Sequence, residues 1–215
     1  DVAFIRGGLP QYGIGEVVGE FPIYVPSVAV TSIGAGGGSI AWVDDLGVLR
    51  VGPESAGSEP GPAAFAKGGT EPTVTDADVM QGLIEPGRFA EGRLAIDMEA
   101  AQVALEQGVG QTLGLDAAQA GRGISEIVDE NMANAGRMHA VESGKDLGAR
   151  LMIAFGGNGP LHATRVARRS QVDRILIPRD PGVGSAVGFL FAPVSFEIIR
   201  SRYARLEELE LDGLN

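Results

Sequence analysis

Glycine constrains this chain more than any other residue. It occupies 33 of the 215 positions, roughly twice what an average usage of about 7% would give. The glycines cluster at Gly34 to Gly38, at Gly68-Gly69 and at Gly156 to Gly159, with no fixed period. A collagen-like repeat is thereby excluded. Glycine is used where backbone turns through the left-handed region or lies close against something else, so this chain must fold around several such loops.

The remaining composition allows an ordinary core. Hydrophobic residues make up 44% and charged residues 21%, near the average for a globular protein, and the length suits one large domain or two small ones. The net charge of −11 argues against a nucleic-acid partner, which needs clustered Lys and Arg. Cysteine is absent, which excludes disulfides and thiolate chemistry and fits a reducing, cytoplasmic setting. No apolar run reaches the roughly 18 residues of a membrane helix. The opening residues lack the basic lead and long apolar stretch of a signal peptide; they read as a strand joined in progress, the first hint of a fragment.

Residues 1–51 read as β structure. Val2 to Ile5 form an apolar run stopped by Gly7-Gly8-Leu9-Pro10, a turn signature. Ile23, Val25, Val28 and Val30 are interrupted by Pro22 and Pro26, as in an irregular or edge strand. Residues 39–43 and 48–51 flank Asp44-Asp45-Leu46-Gly47 as a hairpin. Residues 52–73 are dense in Gly, Pro, Ser and Ala and form a long loop of the kind that is often functional. Thr75 or Asp76 caps a short helix through Ile84, and Asp97 caps another through Glu106. Residues 124–143 place Ile124, Ile127, Val128, Met132, Ala135 and Met138 on one helical face, with Asn131 and Asn134 beside it and Gly144 ending it. Residues 151–155 are continuously apolar, as in a strand covered on both faces. A glycine turn and a helix over 161–169 follow, with Pro160 near its first position. Residues 174–178 make a second short strand, and a last helix runs from 181–184 to about Ala192. From Arg200 onward the chain is acidic and solvent-exposed.

The strand, glycine turn and helix at 151–169 is the most informative unit. Ligands of open α/β sheets bind at the carboxyl ends of strands, and a helix N-terminus favours anions. An ordinary tight turn fits the local pattern equally well. Gly34, Gly36, Gly37 and Gly38 could form a backbone cradle for phosphate; a bulge at a sheet edge is as good a reading. The segment lacks the Gly-Lys-Ser/Thr of a phosphate-binding loop, and Ser39 stands where a dinucleotide fingerprint needs its third glycine. Residues 182–188 have small side chains that suit close helix packing. His139 and His162 have no second ligand at helical spacing, so a packing or helix-capping role suits each better than a metal site. Asp76 and Asp78 suit helix capping. No serine-hydrolase elbow occurs.

Longer blocks resemble a known family. Gly34-Ala35-Gly36-Gly37-Gly38-Ser39-Ile40-Ala41-Trp42-Val43-Asp44, then Val51-Gly52-Pro53-Glu54-Ser55-Ala56-Gly57 and Pro60-Gly61-Pro62-Ala63, resemble successive motifs of the hydantoinase A/5-oxoprolinase family. Pro72-Thr73-Val74-Thr75-Asp76-Ala77, Ala154 to Ala163 and the region from Pro181 to Ala192 continue the match in order. Over roughly residues 1–203 the resemblance implies an α/β fold, the C-terminal lobe of an actin-like (ribonuclease H-like) ATPase, with a mixed sheet and flanking helices. Residues 204–215 would be an acidic tail or the start of a next segment.

The resemblance further implies ATP-dependent, Mg²⁺-assisted opening of a cyclic amide such as hydantoin or 5-oxoproline, with phosphate activating a carbonyl oxygen and a B-type subunit or domain as partner. Carboxylation of a ketone such as acetone or acetophenone is the alternative within the family. A non-catalytic nucleotide-binding or assembly module, like the heat-shock ATPases of the same fold, is the alternative outside it. By the same resemblance Gly156, Gly157, Asn158 and Gly159 would lie against the nucleoside. Asp1 would be the closing carboxylate of a phosphate loop, catalytic and facing a metal-bound water. The family's first phosphate loop is absent and the second would end at Asp1-Val2, so the chain alone is expected to be inactive.

Overall fold

The computed structural model describes residues 1–13, 16–18, 20–24, 26–194, 196, 198, 203 and 205. The chain divides into two units, Asp1–Gly184 and Ser185–Asn215. The acidic stretch at Glu207, Glu208 and Glu210 lies outside the described residues.

Eight short strands occupy the beginning: β1 (Val2–Ala3), β2 (Ile5–Arg6), β3 (Leu9–Pro10), β4 (Tyr12–Gly13), β5 (Glu16–Val18), β6 (Phe21–Ile23), β7 (Ser27–Val28) and β8 (Val30–Thr31). They pair antiparallel as β1–β8, β2–β3, β4–β7 and β5–β6. Gly7 and Gly8, at φ 60° and 81°, supply the two left-handed residues that a tight hairpin turn between β2 and β3 requires. Pro10 and Pro22 lie inside strands and cannot donate to a ladder, which keeps the pairings short. The expected hairpin is present as β9 (Ser39–Val43) and β10 (Leu49–Ser55), aligned Leu49↔Val43 to Val51↔Ala41 with a register shift before Ser55↔Ser39. Asp44 closes its turn by accepting from the Leu46 and Val48 amides at 3.0 and 2.9 Å.

The helices follow. α1 (Val74–Met80) is capped by Thr73, not by Thr75 or Asp76. Asp76 stands at the third helical position and reaches back to the Thr73 amide, closing a capping box. α2 (Met98–Leu105) is capped by Asp97 as expected. It continues through one wide turn at Glu106–Gly110 into α3 (Gln111–Leu113). α4 (Ala117–Glu142) starts seven residues before the expected Ile124, because Asp116 and Gln119 form a second capping box and tertiary packing carries Gly121 and Gly123 inside the helix. Gly144, at φ 62°, terminates it.

Val74 and Ala77 of α1, Leu105 of α2, and Ala120, Ile124 and Val128 of α4 close on Ala41 and Val51 of the hairpin as the main core. Each fully buried aliphatic side chain there contributes roughly 1.5–3 kcal/mol. A satellite cluster holds Ala64, Val79, Ile84 and Ala101, with Leu161 packed on it.

β11 (Leu151–Ile153), α5 (Gly159–Arg169) and β12 (Arg174–Leu176) complete the first unit. β11 and β12 are parallel, in register from Leu151↔Arg174 to Ile153↔Leu176, so α5 is the crossover that a parallel pair needs. Two expectations change here. β11 is not covered on both faces, since Leu151, Ile153 and Phe155 are exposed. The strands also do not join into one mixed sheet: among the described residues they form six two-stranded pairings, five antiparallel and one parallel. α6 (Gly184–Phe191) follows a short turn at Pro181–Val183.

Candidate functional site

The two glycine segments singled out from sequence meet. Gly37 sits so close to Asn158 and Thr75 that a Cβ on it would lie 2.6 Å from Asn158 Nδ2 and 2.7 Å from Thr75 Oγ1. Thr75, in the first turn of α1, donates both its amide and its hydroxyl to the Gly37 carbonyl, at 2.8 and 2.9 Å. Gly34 and Gly38 pack on β10, against Pro53 and Ser55, beside the register shift of that strand. The edge-bulge reading therefore describes where the loop rests. Its Ala35, Gly36 and Ser39 amides are already bonded within the loop.

The second segment is more open. A Cβ on Gly156, Gly157 or Gly159 would meet nothing within 4 Å, as would one on Gly36. Gly156 adopts φ 99°, a conformation costly for any other residue, and donates to the Pro181 carbonyl at 2.8 Å. Asn158 begins α5 without a side-chain cap bond, and its Nδ2 is buried without a hydrogen-bond partner. Backbone open on one side, an unpartnered amide group and a helix N-terminus fit a polar, anionic ligand such as a nucleotide.

Asp1 is exposed ahead of β1, and no hydrogen bond or ion pair joins it to either glycine segment among the described residues. Among those residues no group of three or more His, Cys, Asp or Glu side chains is arranged to hold a metal ion.

Beneath the turn lies a cluster that sequence reasoning missed. His162, Asp78 and Asp129 are fully buried. His162 Nδ1 lies 2.8 Å from Asp129 Oδ1, and Nε2 lies 3.4 Å from Asp78 Oδ2. Arg165 Nε stands 2.7 Å from the other Asp129 oxygen. Burial alone would lower the histidine's pKa, but the Asp129 hydrogen bond and the facing Asp78 carboxylate outweigh it and push the pKa up to about 9. Neither capping nor apolar packing describes His162, and Asp78 caps nothing. Asp76 does serve the capping box and also accepts from the Ala64 amide at 2.7 Å; burial raises its pKa despite these bonds. A legible signal existed on α4, where Ser125, Asp129 and Ala133 form a buried stripe at four-residue spacing. His139 matches the packing expectation: it stacks on Phe4 at 5.0 Å and bonds to Thr31 at 2.8 Å.

The site is thus an α/β unit in which a strand, open glycine turn and helix are set against a second glycine loop. The chain belongs to the hydantoinase/oxoprolinase family, whose pattern it matches over residues 1–198. It is 33% identical to the caprolactamase subunit alpha of Pseudomonas jessenii over 217 residues, all of this chain and 31% of that protein. It is 42% identical to the acetophenone carboxylase gamma subunit of Aromatoleum aromaticum over 164 residues, 75% of this chain and 22% of that one. The crystal structure of the ATP-dependent caprolactamase from Pseudomonas jessenii superposes with a TM-score of 0.76 at 36% identity, covering 82% of this chain and 26% of that one. The chain thus spans less than a third of the length of these relatives. Among the described residues, no helix is long and apolar enough to cross a membrane.

Proposed function

We propose that this chain is the nucleotide-facing part of an ATP-dependent enzyme that opens a cyclic amide of the hydantoin, 5-oxoproline or lactam type. The observation that carries the reading is the meeting of Gly37 with Asn158, which brings two sequence-distant glycine segments to one place beside the N-terminus of α5. Membership of a family that includes an ATP-dependent caprolactamase supports it.

In this reading residues 1–203 form the C-terminal lobe of an actin-like fold, and 204–215 begin a tail or a next segment. Gly156, Gly157 and Gly159 let backbone lie against the nucleoside, and the Asn158 amide group donates to it. Gly34, Gly36, Gly37 and Gly38 hold the facing edge. ATP, when bound, supplies the phosphoryl group that activates the carbonyl oxygen of the substrate. Asp1 offers one carboxylate; Mg²⁺ would keep most of its waters and rely on the phosphates. The subunit titles of two relatives support a multi-subunit enzyme, and a B-type subunit is the partner we assign.

A second reading, an ATP-dependent ketone carboxylase subunit, is favoured by the 42% identity to the acetophenone carboxylase gamma subunit. Fold does not separate the two. Phosphate release by the full-length protein with its B-type partner, in parallel with hydantoin, 5-oxoproline, caprolactam, and acetophenone plus bicarbonate, does. The first reading predicts stimulation by one of the cyclic amides. Stimulation by the ketone alone would replace it with the second, and stimulation only by polypeptides would replace both.

A further inference from the structure

His162 is the fourth residue of α5 and faces carboxylates from two other helices, Asp78 on α1 and Asp129 on α4. Nδ1 bonds to Asp129 at 2.8 Å and Nε2 faces Asp78 Oδ2 at 3.4 Å, so a doubly protonated ring suits both carboxylates. The charges then balance: the imidazolium and the part-exposed Arg165 guanidinium oppose two fully buried carboxylates. A neutral histidine would leave an uncompensated carboxylate there, which is strongly unfavourable. The surrounding groups extend the pattern. α4 adds Glu126 and Glu130, which pair with Arg169 of α5, and α1 adds Gln81, whose Oε1 lies 3.5 Å from Arg165 Nη1. Neither Asp78 oxygen has a hydrogen-bond partner, so the ion pair with His162 is what offsets its burial. The start of α5 itself has no side-chain cap; Leu161 in the satellite core and His162 anchor it from below, beside the packing of Asn158 on Gly37 and the Gly156–Pro181 bond.

We propose that His162, clamped between Asp78 and Asp129, is the positioning residue that fixes the 156–159 turn in its ligand-ready conformation. The inference rests on the nucleotide reading of that turn. The imidazole touches no ligand; it acts through the first turn of α5, and losing its proton above the pH where Asp78 and Asp129 hold it would release the turn. The raised pKa of about 9 agrees with a clamp that is closed at neutral pH.

Two readouts on the full-length protein test it, with His162→Gln and, should that variant fail to fold, Asp78→Asn. Amide exchange followed by mass spectrometry should be at least about tenfold faster over residues 156–163 in the variants, with residues 117–128 unchanged. ATP affinity of the wild type should fall at least about tenfold between pH 7.5 and 10; that alkaline fall should vanish in His162→Gln and move to lower pH in Asp78→Asn. Unchanged exchange, or an alkaline fall that neither variant alters, overturns the clamp. A wild type that binds no ATP overturns the nucleotide reading and the clamp's role in binding with it. Faster exchange in that case would mark the binding reading, not the coupling of the turn to His162, as the point of failure.

Discussion

The buried imidazole of His162 makes a signed prediction about stability. Its folded pKa of about 9 lies above the ordinary 6.5, so the folded state binds the proton more tightly than the unfolded chain. The stabilisation is complete below pH 6.5 and is lost as pH rises through about 9, an effect on the order of 3 kcal/mol. Thermal melts from pH 6 to 10 should show a decline in the wild type that His162→Gln lacks; parallel curves would contradict the ion pairing. Gly37 makes a steric prediction. A methyl there would lie 2.6 Å from Asn158 Nδ2, so Gly37→Ala should cost about 1–3 kcal/mol in denaturant unfolding, whereas Gly36→Ala, which meets open space, should cost far less. Sequence pointed to Gly37 and Asn158 separately because each sits in a glycine run. It did not show their contact, which is made across 121 positions by helix packing. Asp78 was illegible, and Asp129 legible only through its place in the Ser125–Ala133 stripe, for a different reason: an aspartate on a helix is ordinarily solvated, and only the tertiary partner makes it a buried ion.

Individual elements were legible in proportion to how local their causes are. The hairpin expected at 39–43 and 48–51, the Asp97 cap and α5 with Pro160 at its start are each specified within a few residues, and each formed, although the second hairpin strand runs on to Ser55 into what was expected as loop. The sheet pairings depend on distant neighbours, and there the local pattern misled; α4 starts at a local capping box, Asp116 with Gln119, ahead of the apolar stripe that suggested Ile124. The caps of α1 and α2 test this distinction. Asp97 is an exposed cap with one bond, to the Ala100 amide, so Asp97→Ala should cost about 1 kcal/mol. Asp76 is fully buried and accepts from the Ala64 amide, the Thr73 amide and the Thr73 hydroxyl. Asp76→Ala strands three donors, and leaving a single buried group unsatisfied already costs about 1–3 kcal/mol. Urea midpoints should therefore separate the two variants clearly; equal losses would mean that water reaches the α1 cap.

At the scale of the whole molecule, the family is fixed by motifs that run through residues 1–198, and the chain spans less than a third of the length of its relatives. The contribution we propose for this chain is the nucleotide site, and Gly157 tests that directly. A side chain at Gly157 meets nothing within 4 Å in the protein, so Val there has room in the fold and would occupy the space assigned to the nucleoside. The decisive measurement is the ATP affinity of the full-length Gly157→Val protein by titration calorimetry, beside its melting temperature. The account predicts affinity weakened at least about tenfold, or roughly 1.4 kcal/mol, with melting within a few degrees of the wild type. Wild-type affinity in a normally folded Gly157→Val protein would contradict it.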